Sequence, residues 1–227
     1  LIGVATVLAL SFPAASVLES RKSSSPRRFL YDASAIWMGV VTIALCATLL
    51  AEIIALFDVP RAALGLAVIA TTLALSARAL WLGRGPRVVR QSIPGGVEKT
   101  LRIAVASDVH AGPVHGKRYI GRIVDLINEN DPDLALFPGD LVDGPGRLPD
   151  DLLKSLERLN MPAVHSWGNH EQYVGANEVE RVMQQTPLIS LRNESVTRCN
   201  ATIIGVDDSE NRTQLATTLP DISARGY

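Results

Sequence analysis

The chain has 227 residues, with 22 Lys and Arg against 23 Asp and Glu, a net charge of −1 and a mean hydropathy of +0.19. The charge is divided: residues 1–90 carry nine basic and four acidic side chains, residues 91–227 carry 13 and 19. An acidic second part excludes non-specific nucleic-acid binding, which needs a basic footprint, and two cysteines, Cys46 and Cys199, exclude a disulfide scaffold and a cysteine zinc site.

The apolar excess lies at the front. Residues 1–18 are nearly all apolar, residues 36–57 contain one charge, Glu52, and residues 62–82 contain one charge, Arg78. About 20 apolar residues cross the hydrocarbon core of a bilayer. Three transmembrane helices are therefore predicted over 1–18, 36–57 and 62–82, within a membrane region spanning residues 1–90. Glu52 and Arg78 lie near segment ends, where they are expected to reach the interface or to meet each other. Arg21, Lys22, Arg27 and Arg28 sit in one flanking segment, and Arg84, Arg87 and Arg90 in another. Basic flanks stay in the cytoplasm, which predicts an integral protein of the cell inner membrane with its second part on the cytoplasmic side.

Residues 91–96, with Pro94-Gly95-Gly96, read as a linker to a domain over 97–227. Strands are predicted over 101–107, 134–137, 163–166 and 202–206. Helices are predicted over 117–130, 149–159 and 177–185. In the first helix Ile120, Ile123, Val124 and Ile127 recur at helical spacing, and Pro132 stops it. In the second, Leu152, Leu153, Leu156 and Leu159 share a face. Strands alternating with helices predict an α/β domain with a mostly parallel sheet.

Three of the strands run into clusters of polar side chains. The first ends in Asp108-Val109-His110, the second in Gly139-Asp140-Leu141-Val142-Asp143, the third in Gly168-Asn169-His170-Glu171. Carboxyl ends of neighbouring strands lie side by side in an open α/β sheet, and ligands bind in the crevice they form. Oxygen and nitrogen donors of this kind suit Mn, Fe, Zn or Mg. A carboxylate between two such ions can bridge them, the arrangement that clamps both oxygens of a displacement at phosphorus. Asp108 and His110 would hold one ion, Asp140 both and Asn169 the second, with His170 turned toward substrate. Single Asp and His residues at strand ends are often mere turn residues; three clusters in register are not. His165, inside a strand, is expected to be packed, and His115, in a Gly/Pro-flanked loop, to be solvent-exposed. Trp167 is expected in the core.

In order and spacing these motifs resemble the calcineurin-like metallophosphoesterases, and in particular the branch with a membrane-spanning N-terminal region. Ser107 to Asp208 carries the likeness, with Leu191-Arg192-Asn193-Glu194 and Gly205-Val206-Asp207-Asp208 in support. The resemblance implies an αββα sandwich and hydrolysis of phosphoesters, phosphodiesters or pyrophosphates among them, by a two-metal mechanism. It implies two divalent ions held by Asp108, His110, Asp140 and Asn169, and a catalytic His170. Asp143 and Glu171 would support these ligands from outside. Membrane tethering favours a lipid-linked phosphoester as substrate.

One departure stands beside the match. The family uses further histidines downstream, whereas the four here are His110, His115, His165 and His170. The second ion then keeps only Asp140 and Asn169. The sequence is therefore expected to be a fragment, its sandwich domain cut short and inactive by itself. The alternative is a membrane scaffold or transporter-like protein whose phosphoesterase-like domain only binds a ligand.

Overall fold

The computed structural model describes residues 2–21, 24–94 and 100–208. Residue 1, residues 22 and 23 (with Lys22 of the first basic flank), 95 and 96 of the predicted linker, and 97–99 and 209–227 of the predicted domain lie outside them. The chain divides into two compact units, one ending at Pro86 and one beginning at Arg87.

The first unit is helical: α1 (Ile2–Arg21), α2 (Ser25–Ile54) and α3 (Arg61–Leu82). Helix α2 starts about ten residues before the predicted span. Pro26 lies in its first turn, where a missing N–H costs nothing, and no breaker follows. A 3₁₀ turn, Ala55–Phe57, and a left-handed Asp58 (φ +59°) reverse the chain before Pro60 opens α3. Among the described residues two helical stretches, Pro26–Phe57 and Arg61–Leu82, are long and apolar enough to cross a membrane. Leu45, Leu49 and Ile53 of α2 and Leu66, Ile69 and Leu73 of α3 stand exposed at helical spacing. Glu52 meets not Arg78 but Arg61, 3.4 Å away across the reversal.

The second unit is built on a four-stranded parallel sheet in the order β1 (Ile103–Val105), β2 (Leu134–Pro138), β3 (Ala163–Ser166), β4 (Ile189–Leu191). Helix α4 (Lys117–Glu129) joins β1 to β2; short helices α5 (Asn169–Val174) and α6 (Ala176–Met183) join β3 to β4. An antiparallel hairpin, β5 (Glu194–Arg198) and β6 (Ala201–Gly205), forms a second sheet. Alternation along β2 separates two cores. Ala135 and Phe137 pack with Ala104 and Ala163 against Ile120, Val124, Leu156, Val179 and Val182. Leu134 packs with Val164 and Leu191 on the other face, beside Val196 and Ile203 of the hairpin. A strand covered on both faces reads as a continuous apolar run, which is how 134–137 stands out in the sequence.

Two expectations are corrected here. Residues 149–159 do not form an α-helix: they turn at 150–153 and continue as a 3₁₀ stretch, Lys154–Arg158. Its N–H groups reach three residues back, Leu156 to Leu153 and Leu159 to Leu156. The three-residue repeat aligns these leucines, while the turn buries Leu152 as well. The strand expected over 202–206 forms as β6 (Ala201–Gly205), in the antiparallel hairpin. The first strand is shorter than predicted, Ile103–Val105, although Ala106 N–H still donates to Leu136 O at 3.0 Å.

Candidate metal centre

Strands β1, β2 and β3 are neighbours and parallel, so their carboxyl ends release three loops at one edge. Backbone hydrogen bonds zip the first two loops together. His110 N–H donates to Asp140 O (2.9 Å), Ala111 N–H to Leu141 O (2.8 Å) and Asp143 N–H to Ala111 O (2.9 Å). The third loop docks through His170 N–H, which donates to Asp140 Oδ1 at 2.9 Å. Gly168 permits that contact. A Cβ there would lie 2.2 Å from Asp140 Oδ1 and 2.7 Å from Asp140 N.

Asp108 (φ +55°), His110 (φ +48°) and Asp140 (φ +53°) are all left-handed. Each such residue costs roughly 1–3 kcal/mol, and Asp and His tolerate the region better than most. Asp108 and His110 from the first loop and Asp140 from the second bring three left-handed residues into one cluster. Donor atoms of Asp108, His110 and Asp140 lie within 4.8 Å of one another, as do those of His110, Asp143 and His170. Asp108 is exposed, while His110, Asp140, Asp143, Asn169 and His170 are half-buried.

Asp143 stands between the two imidazoles. Its Oδ1 is 3.0 Å from His170 Nδ1 and its Oδ2 is 3.3 Å from His110 Nδ1. The rings meet edge to face at 4.4 Å. Neither nitrogen is aligned for a hydrogen bond, and both are buried from solvent. Burial alone would lower the His170 pKa, but the carboxylates of Asp143, Asp140 and Glu171 outweigh it and raise it above the usual value.

Glu171 is fully buried and points away from this cluster into the loop backbones. Its oxygens accept N–H from Asp140 (2.9 Å), Leu141 (2.7 Å), Val142 (3.2 Å) and Gly168 (2.8 Å). His165 Nε2 lies 3.6 Å from Glu171 Oε1. Burial would raise the Glu171 carboxyl, but the His165 ring and the backbone donors hold it down at about 2.

The donor chemistry fits a divalent ion. Asn169 lies against Asp140: in the orientation that satisfies both side chains its amide nitrogen donates to Asp140 Oδ2 at 3.1 Å and to Oδ1 at 3.2 Å. The unaligned His110 Nδ1 is a further free donor beside them.

Of the remaining histidines, His165 is buried in β3, as expected of a packed residue. His115 is half-buried rather than exposed: it stacks on Tyr119 at 4.1 Å, and its Nδ1 bonds Val109 O at 3.0 Å. Trp167 is 4 % exposed, with the Arg192 guanidinium 3.9 Å above its ring. Two neighbours were not singled out in the sequence. Ser107 Oγ donates to Asp108 Oδ2, and exposed Tyr173 lies 5.4 Å from the His170 ring. Tyr173 falls three residues after His170 on one helix, the spacing that makes neighbours.

Known proteins similar to this chain share the description metallophosphoesterase. A metallophosphoesterase of Aquifex aeolicus, itself uncharacterised, is 34 % identical over 125 residues, 54 % of this chain and 47 % of its own. A transmembrane protein with metallophosphoesterase domain from Danio rerio is 35 % identical over 97 residues, 39 % of this chain and 22 % of its own. An uncharacterised metallophosphoesterase of Campylobacter jejuni is 28 % identical over 118 residues, 49 % of this chain and 31 % of its own. The chain thus spans less than half the length of these relatives. The family pattern described as calcineurin-like phosphoesterase matches residues 101–214, half of the chain and every side chain of the cluster, and the protein belongs to that family.

Proposed function

We propose that the α/β unit is a metal-dependent phosphoester hydrolase held at the cytoplasmic face of a membrane by the helical unit. The observation that carries this reading is the convergence of Asp108, His110 and Asp140 within 4.8 Å, on three left-handed residues. Asp108, His110 and Asp140 would hold one divalent ion, and Asp140 with Asn169 would reach a second. Ions there would supply Lewis-acid polarisation of a phosphoryl oxygen and lower the pKa of water.

The chain's own residues do the rest. Asp143 Oδ1, 3.0 Å from His170 Nδ1, sets its charge against that edge of the ring, and Nε2 would meet the substrate. An imidazole whose proton is favoured by three carboxylates is suited to protonate a leaving alkoxide. Asp143 therefore orients His170, and Glu171 makes its hydrogen bonds to backbone N–H groups. Phosphodiesters and pyrophosphates are the substrate class, and a membrane-held site favours lipid-linked ones.

Purified protein in detergent, assayed with Mn, Fe, Zn and Mg against bis(p-nitrophenyl) phosphate and against a lipid pyrophosphate in vesicles, tests the reading. Hydrolysis abolished by a chelator and restored by one of these metals is expected. Faster turnover of the vesicle substrate supports a lipid-linked class, and hydrolysis indifferent to metal overturns the mechanism. The second reading is a non-catalytic ligand-binding domain. It is favoured by the structural contacts of His115 and His165, which leave His110 and His170 as the cluster's histidines among the described residues. Metal binding with no hydrolysis of any ester would select it. The side of the membrane follows from the flanking arginines. A reporter joined after Arg90 should behave as cytoplasmic, and periplasmic activity from it would reverse the orientation.

A further inference from the structure

We propose that Glu171 is a positioning residue whose buried carboxylate clamps the β2 loop onto the β3 loop and so fixes the aim of the Asp140 carboxylate. The inference rests on the metal-centre reading only for the purpose of the clamp; the clamp itself stands on geometry.

Four backbone N–H groups end on this one side chain. Gly168 precedes it in the third loop; Asp140, Leu141 and Val142 are consecutive in the second. Three consecutive donors aimed at one point occur because Gly139 (φ +82°) and Asp140 (φ +53°) are both left-handed. That turn removes their N–H groups from the sheet ladder, and a buried donor without a partner is costly. A fully ionised acceptor with two oxygens satisfies four donors; few other side chains can. Asp140 is thus held twice by the third loop. Its N–H is taken by Glu171, and its Oδ1 accepts His170 N–H.

Glutamine in this place has the same shape but only one acceptor oxygen. Its NH₂ would face either Leu141 and Val142 N–H or Asp140 and Gly168 N–H, donor against donor. The β2 loop would then be released on one side while the strands below it keep their ladder. Glu171→Asp keeps both acceptors and the charge but is one methylene shorter, so it should hold the loop less well than Glu and better than Gln. The ranking Glu, Asp, Gln is the signature of an acceptor clamp; a filler of core volume would rank Gln beside Glu.

The test is amide hydrogen exchange on the full chain in detergent, without metal, for wild type, Glu171→Gln and Glu171→Asp. Manganese binding by electron paramagnetic resonance follows, with Mn²⁺ alone as probe. Exchange at 140–142 and 168 should rise at least tenfold in Glu171→Gln and less in Glu171→Asp, with β2 and β3 amides unchanged. Mn²⁺ affinity should fall about 10–100-fold in Glu171→Gln and partly return in Glu171→Asp. Unchanged exchange at these four amides overturns the proposal, and so does loss of protection throughout the sheet in both variants, which would make Glu171 a general fold residue. A wild type that binds no Mn²⁺ would instead sink the metal-centre reading, and the exchange ranking would still decide the clamp.

Discussion

The two units direct apolar side chains oppositely. In the helical unit Leu49, Ile53, Leu66 and Leu73 stand more than half exposed. In the α/β unit side chains of the same kind, Ile120, Leu134, Phe137 and Leu156, are fully buried. Charge is arranged oppositely as well. Within the two apolar helices it is confined near the ends, as with Glu52 and Arg61 at the reversal. In the α/β unit it converges at the carboxyl end of the sheet, on loops held in left-handed conformations. One composition suits a lipid-facing surface and the other a core that can bear the strain of a polar site. The comparison implies that a given kind of substitution should have opposite consequences in the two units.

The largest effect is expected at the polar end of the sheet. Asp140→Asn should reduce Mn²⁺ affinity and any metal-dependent hydrolysis by more than roughly a hundredfold. Asp143→Asn should cost less, about 10–100-fold, as expected of a group that acts through His170 and His110. Titration with Mn²⁺ and one ester assay compare the two variants. Equal and mild losses would remove Asp140 from its assigned place.

The next tests address the apolar side chains directly. Phe137→Ala, in the buried face of β2, should destabilise the α/β unit by about 3–5 kcal/mol, read as the denaturation midpoint of that unit. Leu73→Arg replaces a side chain that is 66 % exposed, and on a soluble helix it would change stability by less than about 0.5 kcal/mol. Near the middle of a membrane span it should cost about 2.5–3.5 kcal/mol, seen as reduced insertion of α3. Efficient insertion with arginine there would break the comparison, because the exposed stripe would not then face lipid.

What could be read from sequence follows from the same physics. An apolar run ending in Asp-x-His, Gly-Asp or Gly-Asn-His shows a buried strand and its polar exit, so the three loops were legible. Helix α4 was legible because Ile120, Ile123, Val124 and Ile127 recur on one face. Strand β4 was not: Ile189-Ser190-Leu191 is three residues long, too short for a period to register. The 3₁₀ stretch was read as an α-helix because Leu152, Leu153 and Leu156 satisfy both repeats. The partners of Glu171 were hidden for another reason. They are backbone N–H groups about 30 positions upstream, which carry no side-chain signature. The position of Asp143 between two imidazoles needs the turn geometry of 139–144 and cannot come from spacing alone.

The smallest effect sharpens the contrast between exposed and converging charge. Glu178 on α6 accepts Leu148 N–H and Arg181 Nη2, both at 2.6 Å, and Arg181 Nη2 also donates to Leu148 O at 2.7 Å. Arg181 further reaches Asp150, which pairs with Arg147 at 3.2 Å. These contacts tie α6 to the stretch that follows Asp143. The Arg181 hydrogen bond lowers the Glu178 pKa; burial opposes it, and the Leu148 N–H and the Arg181 and Arg147 charges add to it. A carboxyl depressed in the folded state contributes stability that is complete above its unfolded value, 4.5, and is lost as pH falls through the folded value. Glu178→Gln should therefore destabilise the α/β unit by about 1 kcal/mol at pH 7, and the gap should shrink below pH 4.5 as wild-type Glu178 becomes neutral too. Denaturation of both proteins at pH 7, 5 and 3.5 measures this. A gap that stays constant with pH would mean that the Leu148 contact, not the charge, holds this stretch to α6, and Arg181→Ala should then cost as little as Glu178→Gln.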